Sequence, residues 1–214
     1  MRLSEEKVGG FRNYINKIWN ISRYIVGNYD LKNISFADID ESKLTFADKW
    51  ILHELNNLIK EVTDDIENYK FSSAGEKLYG FTWNTLADWY VEFSKFEKDG
   101  EKEKVFSFVL INLLKLLHPF MPFVTEKIWD EIGIDNLLLI QKWPEEFLEK
   151  KIFDTEKEII ESTIGIIQKI REARNLNKIE PAKKIKAVIF AHDKYEEIKS
   201  QEDLIKNYEL ELVN

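Results

Sequence analysis

The sequence lacks cysteine and contains only four prolines, eight glycines and three histidines in 214 residues. The lack of cysteine excludes disulfide bonds, thiolate nucleophiles and cysteine-ligated zinc sites. Three histidines that lie far apart in the chain disfavour a histidine-based metal site. Proline and glycine are too rare for an all-β sandwich or barrel, which needs turn residues about every 8 to 12 positions. We therefore predict a mainly α-helical fold.

Long apolar runs are missing as well. No stretch reaches the roughly 18 residues that a membrane-spanning helix requires. The first twenty residues lack the basic-then-apolar order of a signal peptide. We expect a cytoplasmic protein that does not bind membranes.

Acidic residues outnumber basic ones by 39 to 31, which gives a formal net charge of −8. This balance argues against a nucleic-acid partner, because phosphate binding draws on Lys and Arg. The charge is, however, unevenly distributed along the chain. Four basic residues and no Asp or Glu lie between Lys7 and Tyr29.

The chain carries enough apolar residues, 44% with 13% aromatics, to bury a core. Helical periodicity with capping and turn residues predicts helices at 7–28, 48–69, 71–96, 102–117, 122–132, 154–175 and 193–206. Alternating β-branched residues predict strands at 184–191 and 208–213. We predict a helical bundle over residues 1–145, followed over 146–214 by a helix and a small, truncated α/β subdomain.

The first predicted helix has two different faces when 100° is assigned to each residue. The face predicted to be buried carries Phe11, Tyr14, Ile15, Ile18, Ile21, Ser22, Ile25 and Val26. We name the opposite face the outward arc; it consists of Arg12, Asn13, Asn16, Lys17, Asn20, Arg23 and Tyr24.

Cations, amides and aromatic rings are the groups that hold single-stranded RNA, through phosphates, base edges and base stacking respectively. The outward arc has all three. The alternative is a solvated helix face whose lack of acidic residues is due to chance.

Catalytic signatures are missing: there is no Gly-rich phosphate loop, G-x-S-x-G, H-E-x-x-H or D-x-D motif. We interpret Asp64-Asp65 as a solvated pair and the charged run 97–104 as a solvated turn. His118 is expected to bond a backbone carbonyl, and Asp154 or Thr155 to cap the helix that follows. Five aromatic residues are assigned to packing: Trp50, Trp83, Trp89, Tyr90 and Trp129.

Several spaced segments together resemble the anticodon-binding domain of class I aminoacyl-tRNA synthetases of the valine, isoleucine and leucine group. They are KVGGFRNY at 7–14, ADKWIL at 47–52, YGFTW at 79–83, DWYVEFSK at 88–95, LHPFMPFVTE at 117–126, IREARN at 170–175 and PAKKI at 181–185. The segments at 79–95 and 117–126 are most similar to the valine-specific branch. Because the HIGH and KMSKS signatures of this family occur nowhere, we expect a piece without the catalytic and editing domains.

The resemblance implies a helical bundle that binds the anticodon stem and loop of valine tRNA, largely through its first helix. Residue by residue, it assigns the binding to Arg12, Asn16, Lys17, Asn20, Arg23 and Tyr24. We predict Tyr24 as the stacking ring, Lys17 and Arg23 as cations for phosphates or base edges, and Asn16 or Asn20 as base readers.

The resemblance also implies that no cofactor is bound here, because ATP is used by the catalytic domain, and we expect a monomer. Two alternatives stay open. One is the equivalent domain of a leucyl or isoleucyl enzyme, and the other is a helical scaffold that binds protein and not RNA.

Overall fold

The computed structural model describes residues 5–97, 101–148, 152–180 and 195–211, together with positions 183, 185, 188 and 189. In these residues the α-helices are α1 Glu5–Asn28, α2 Phe46–Glu67, α3 Phe71–Gly80, α4 Val91–Ser94, α5 Lys102–Leu117, α6 Pro122–Ile132, α7 Asp154–Leu176, α8 Tyr195–Ser200 and α9 Glu202–Glu211. A π-helix, Phe81–Tyr90, joins α3 to α4, and short 3₁₀ turns lie at Phe36–Asp38, Glu41–Lys43 and Leu138–Ile140. The prediction of a mainly helical bundle is confirmed.

The core of the bundle forms around α5, whose residues are apolar on almost every side. A helix that is hydrophobic all round must be surrounded by other elements, and α2 and α6 both pack against it. Its end at His118-Pro119 and the start of α6 at Pro122 agree with the sequence prediction, since proline suits the first turn of a helix.

The aromatic stretch predicted as one helix over 71–96 is continuous but changes its winding. Over Phe81–Tyr90 the helix is wider, with i→i+5 hydrogen bonds, as in a π-helix. This winding places Asp88 beside α1 and the next residue, Trp89, beside α7. Periodicity cannot predict such a segment, because the hydrophobic pattern there also fits an ordinary α-helix.

The prediction of a solvated turn at 97–104 is wrong at Lys102, which is buried. Its ammonium group lies 2.6 Å from Asp48 Oδ1, 2.7 Å from Glu97 Oε2 and 3.0 Å from Thr45 Oγ1. The Tyr90 hydroxyl donates to the same Asp48 oxygen at 2.7 Å. These five residues form what we call the buried charge cluster, and they tie the starts of α2 and α5 to the end of the π-helix.

After residue 146, α7 packs on the bundle, since it runs along α2. Lys49 Nζ lies 2.9 Å from Glu156 Oε1, and Lys157 Nζ lies 3.3 Å from Glu54 Oε1. The capping prediction at Asp154 or Thr155 is wrong: the cap is Phe153, in the left-handed region with φ 68° and without a side-chain capping bond. The division at residue 145 stays a prediction.

The strand predicted at 208–213 is wrong for residues 208–211, which belong to α9. This helix buries Leu204 and Ile205 and packs against α4 and α7, and that burial decides its conformation. The strand predicted at 184–191 lies largely outside the described residues, and positions 185, 188 and 189 are not in a strand. Among the described residues, the segment after 146 is therefore helical, and the expected α/β subdomain has no strand.

Candidate nucleic-acid interface

The inner face of α1 packs on the bundle from Tyr14 onward. Ile18, Ile21 and Ile25 are buried as predicted. Phe11 and Ile15, which the helical wheel places on the same face, are 65% and 39% exposed, so the prediction is wrong for them. Tyr14 is the first buried residue among those of α1 whose side chains the structure describes, so the apolar stripe is longer than its contact with the bundle.

Tyr14 fixes the position of α1 relative to the π-helix. Its hydroxyl donates toward Leu78 O and Thr82 Oγ1, at 3.1 Å each. Burial, which disfavours the charged phenolate, raises the pKa of Tyr14 to about 12. The tyrosine is therefore a neutral hydrogen-bond donor at physiological pH.

The outward arc is accessible. Five of its residues are exposed: Arg12, Asn13, Asn16, Asn20 and Arg23. The other two, Lys17 and Tyr24, are half-buried. In the described part of the chain, neither Arg12 nor Arg23 forms an ion pair. The arc therefore presents two guanidinium groups and three amides to solvent.

Lys17 is held by the protein itself. Its ammonium group lies 2.9 Å from Asp88 Oδ1 and 5.0 Å from the centroid of the Trp83 ring. The Trp83 ring stacks on Tyr79 at 5.5 Å with an interplanar angle of 16°. Lys17 thus differs from the two arginines: its charge is balanced by a carboxylate and fixed over an aromatic ring.

Tyr24 lies at the edge of the core, so part of its ring is covered. Its backbone carbonyl accepts a hydrogen bond from Asn28 Nδ2 at 2.7 Å, near the end of α1. A half-buried ring has fewer side-chain conformers available, which lowers the entropy lost when a base stacks on it.

The predicted site residues do not form one compact cluster. Lys17, Asn20, Arg23 and Tyr24 lie within two helical turns, about 11 Å along the axis at 1.5 Å per residue. Arg12 lies about 16 Å from Arg23 along the axis by the same measure. A strand of RNA extended along the helix could contact both ends, and a single base could not.

Sequence reasoning missed the contribution of the π-helix to this surface. Trp83 is half-buried and Tyr79 is 40% exposed, so the assignment of Trp83 to packing is incomplete. Trp89 is half-buried too, whereas Trp50, Tyr90 and Trp129 are buried as predicted. The i, i+4 spacing of Tyr79 and Trp83 signals a pair on one face, but nothing in the sequence signals that this face borders α1.

Two predictions about single polar residues need correction. His118 Nδ1 lies 2.9 Å from the Thr125 hydroxyl, so its partner is a side chain and not a backbone carbonyl. Asp65 is buried, bonded to Lys77 Nζ and Ser73 Oγ at 2.7 Å each, and these hydrogen bonds lower its pKa. Asp64 is exposed and pairs with Lys60 at 2.6 Å. The two carboxylates are thus bound by separate partners, which does not fit an acid/base pair.

Within the described ranges, no three His, Cys, Asp or Glu side chains come close enough together to hold a metal ion. Nor does any helix described here have the length and apolar character to cross a membrane.

Comparison with known proteins gives matches over the whole chain. The family model described as the anticodon-binding domain of tRNA ligase matches residues 48–189. The valine–tRNA ligase of Staphylococcus carnosus is 39% identical over 217 residues, which cover 97% of this chain and 24% of that protein. The valine–tRNA ligase of Clostridium tetani is 42% identical over 201 residues, covering 90% of this chain and 23% of that protein. The chain thus spans about a quarter of the length of these relatives.

A solved structure has the same fold. In a ternary complex of LeuRS, tRNA and LeuAMS from Agrobacterium radiobacter K84, the matching chain superposes with a TM-score of 0.53 at 20% identity, covering 68% of this chain and 17% of that one. The family model begins at residue 48, so α1 lies outside it, but the matches to the ligases extend over nearly the whole chain. On these matches, the chain belongs to the anticodon-binding domain family of tRNA ligases.

Proposed function

We propose that this chain binds the anticodon stem and loop of valine tRNA and serves as the tRNA-recognition part of a valine–tRNA ligase. The observation that carries the proposal is the outward arc of α1, which is exposed and free of acidic residues in a chain with net charge −8. The family match and the valine–tRNA ligase relatives support the same partner.

The arc has the chemistry for an unpaired loop. Arg12 and Arg23 offer guanidinium groups to phosphates or base edges, and Asn16 and Asn20 offer amides that can both donate and accept. Tyr24 offers a ring on which a base can stack. Lys17 pairs with Asp88 at a partly exposed position on the arc.

Valine codons begin with GU, so every valine anticodon has adenine in the middle and cytosine in its third position. Amide groups can distinguish these bases by their Watson–Crick edges once the loop bases are unstacked. The division of this work between Asn16 and Asn20 stays open. Binding here would orient the tRNA for ATP-dependent valylation at a separate catalytic domain, which supplies the chemistry. We propose further that the chain acts as a cytoplasmic monomer and binds no cofactor itself.

A salt titration with an anticodon stem-loop of valine tRNA tests the proposal. If three or four phosphates of a single strand are neutralised, log K should fall against log salt with a slope of about −2 to −3. Undetectable binding at high micromolar protein and low salt, to both the stem-loop and the whole tRNA, would overturn the proposal and favour a protein-binding scaffold.

The choice of tRNA distinguishes the related enzymes. We expect a stem-loop with the valine anticodon to bind more tightly than otherwise identical loops carrying leucine or isoleucine anticodons. Each changed base should cost about 1 to 3 kcal/mol, as lost base contacts do in nucleic-acid recognition. Tighter binding of a leucine or isoleucine loop would contradict the valine assignment.

Substitution of the stacking ring gives the sharpest local test. Tyr24→Ala should weaken binding by about 1 to 3 kcal/mol, because base stacking on an aromatic ring is worth that much. The matched control is Tyr69→Ala, since Tyr69 is 82% exposed and follows α2, away from the arc. Circular dichroism should show both variants folded. Equal affinity of Tyr24→Ala and the wild type would show that the loop stacks elsewhere.

A further inference from the structure

A second basic surface lies on α7, and its charge changes sign along the helix. The first part of α7 carries four acidic residues and one basic one, Asp154, Glu156, Glu158, Glu161 and Lys157. From 168 to 178 the balance is reversed: the acidic residue is Glu172, and the basic residues are Lys169, Arg171, Arg174 and Lys178. Three amides accompany them, Gln168, Asn175 and Asn177.

This second surface is exposed. Lys169, Lys178 and all three amides are exposed, and Arg171 and Arg174 are half-buried. An open groove of about 500 Å³ lies beside the lysines, lined by Gln168, Arg171, Glu172, Asn175 and Leu176. In the part of the chain that the structure describes, neither Lys169 nor Lys178 forms an ion pair. The two lysines are therefore available to a partner of negative charge.

The two arginines of this surface contact other parts of the protein. Arg171 lies over the Trp89 ring, with its guanidinium carbon 5.4 Å from the ring centroid. Arg174 Nη2 donates to the backbone carbonyl of Lys183 at 2.8 Å. Arg171 thus links the C-terminal half of α7 to the bundle, Arg174 links it to position 183, and both lysines stay exposed.

The surface on α7 and the outward arc meet at the π-helix. Lys17 of the arc binds Asp88, and Arg171 of α7 lies over Trp89. Asp88 and Trp89 are consecutive, so their Cα atoms are about 3.8 Å apart. The π-helix at 88–89 thus contacts one cation from each of the two basic, amide-bearing surfaces.

We infer that the exposed surface from Gln168 to Lys178, formed by the end of α7 and the turn that follows it, is a second RNA-contacting surface, which binds the phosphodiester backbone of the tRNA whose loop lies on α1. The inference rests on the proposed function. Charge complementarity supports this occupant, and the contact of Arg171 with Trp89 places the surface against the same π-helix that Lys17 of the arc contacts. The described lining of the groove includes no aromatic ring, so we assign it to backbone contacts and not to base stacking.

Neutralising the two lysines tests the inference. We compare the wild type with the double variant Lys169→Gln, Lys178→Gln, using whole valine tRNA at several salt concentrations. Two phosphate contacts are lost, so the plot of log K against log salt should become less steep, with a slope smaller in magnitude by about 1 to 2. Binding at low salt should weaken severalfold. The control is Lys142→Gln, an exposed lysine next to Trp143, which bonds Thr63 near the far end of α2. It should bind like the wild type.

A crosslink locates the contact directly. Because the chain has no cysteine, Lys169→Cys introduces a single thiol for a photoreactive label, and Lys142→Cys serves as the control. The label at 169 should crosslink to the tRNA, and the label at 142 should not.

The outcomes separate the two proposals. If Tyr24→Ala weakens binding while the double lysine variant keeps both the affinity and the salt slope, the function stands and the inference on α7 is wrong. If the double variant lowers the melting temperature but leaves RNA binding unchanged, the lysines stabilise the C-terminal end of α7 through its helix dipole, and the inference is equally wrong. If the wild type binds no tRNA, both fail.

Discussion

Basic side chains serve opposite purposes in the buried charge cluster and on the outward arc. In the cluster, Lys102 is surrounded by Asp48, Glu97 and Thr45 at 2.6 to 3.0 Å, away from water. On the arc, Arg12 and Arg23 point into solvent. Burying an ion is costly unless it is paired, and Lys102 is paired with both carboxylates of the cluster. The exposed arginines cost the fold little and stay available for a partner.

Lys17 lies between these two extremes. It pairs with Asp88 as the lysine of the cluster pairs with its carboxylates, but the side chains of Lys17 and Asp88 are 29% and 46% exposed. An exposed pair contributes little to stability and can exchange its partner. The comparison teaches that burial, and not the presence of an acidic neighbour, separates structural from binding cations here.

The largest effect is expected in the cluster. Lys102→Met should lower the free energy of unfolding by about 3 to 5 kcal/mol, because it leaves two carboxylates without their cation in a buried site. Urea unfolding followed by circular dichroism measures this. The control Lys104→Met removes a lysine that is 44% exposed and pairs with Glu101, and should cost less than about 1 kcal/mol. If both variants lost a similar free energy of unfolding, the proposed difference between buried and exposed lysines would be wrong.

Alkaline pH should destabilise the protein through the buried tyrosines. Tyr14 has a pKa of about 12 in the folded state, against 10.0 when exposed, because burial disfavours its anion. Above pH 10 the unfolded chain loses this proton first, so stability falls by at most about 1.4 kcal/mol per pH unit until pH reaches about 12. Burial and the nearby Asp48 raise the pKa of Tyr90 as well, in the same direction.

Tyr14→Phe isolates the first tyrosine. The variant should lose stability less steeply between pH 10 and 12 than the wild type, in urea unfolding at each pH. At pH 7 it should be about 0.5 to 1.5 kcal/mol less stable, since one hydroxyl with two acceptors is gone. A pH profile unchanged by the substitution would show that Tyr14 is not the group that titrates.

The smallest effect concerns the exposed pair. Asp88→Asn should change stability by no more than about 1 kcal/mol and strengthen RNA binding, because Lys17 is released from its carboxylate. The control Asp64→Asn breaks a comparable exposed pair with Lys60 on α2 and should leave RNA affinity unchanged. Filter binding measures both. Weaker RNA binding by Asp88→Asn would mean that this carboxylate itself contacts the RNA.

Much of the fold could be predicted because nearby residues determine where a helix begins and ends. The bounds predicted for α5 and α6 agree with the structure, since proline, glycine and hydrophobic periodicity act within a few residues. The strand prediction was wrong at residues 208–211 because a short alternating run fits strand and helix alike until burial selects one. Leu204 and Ile205 supply that burial.

By itself, the sequence determined which side chains lie on each face of α1, because a regular helix repeats every 3.6 residues. It therefore defined the outward arc, including Asn16, Asn20 and Tyr24. Which cations are paired depends on the packing of distant segments. Lys17 meets Asp88 across 71 positions and Lys102 meets Asp48 across 54. Such pairs form when packing brings together segments that are far apart in the chain. Local sequence patterns do not show which distant segments will pack against each other.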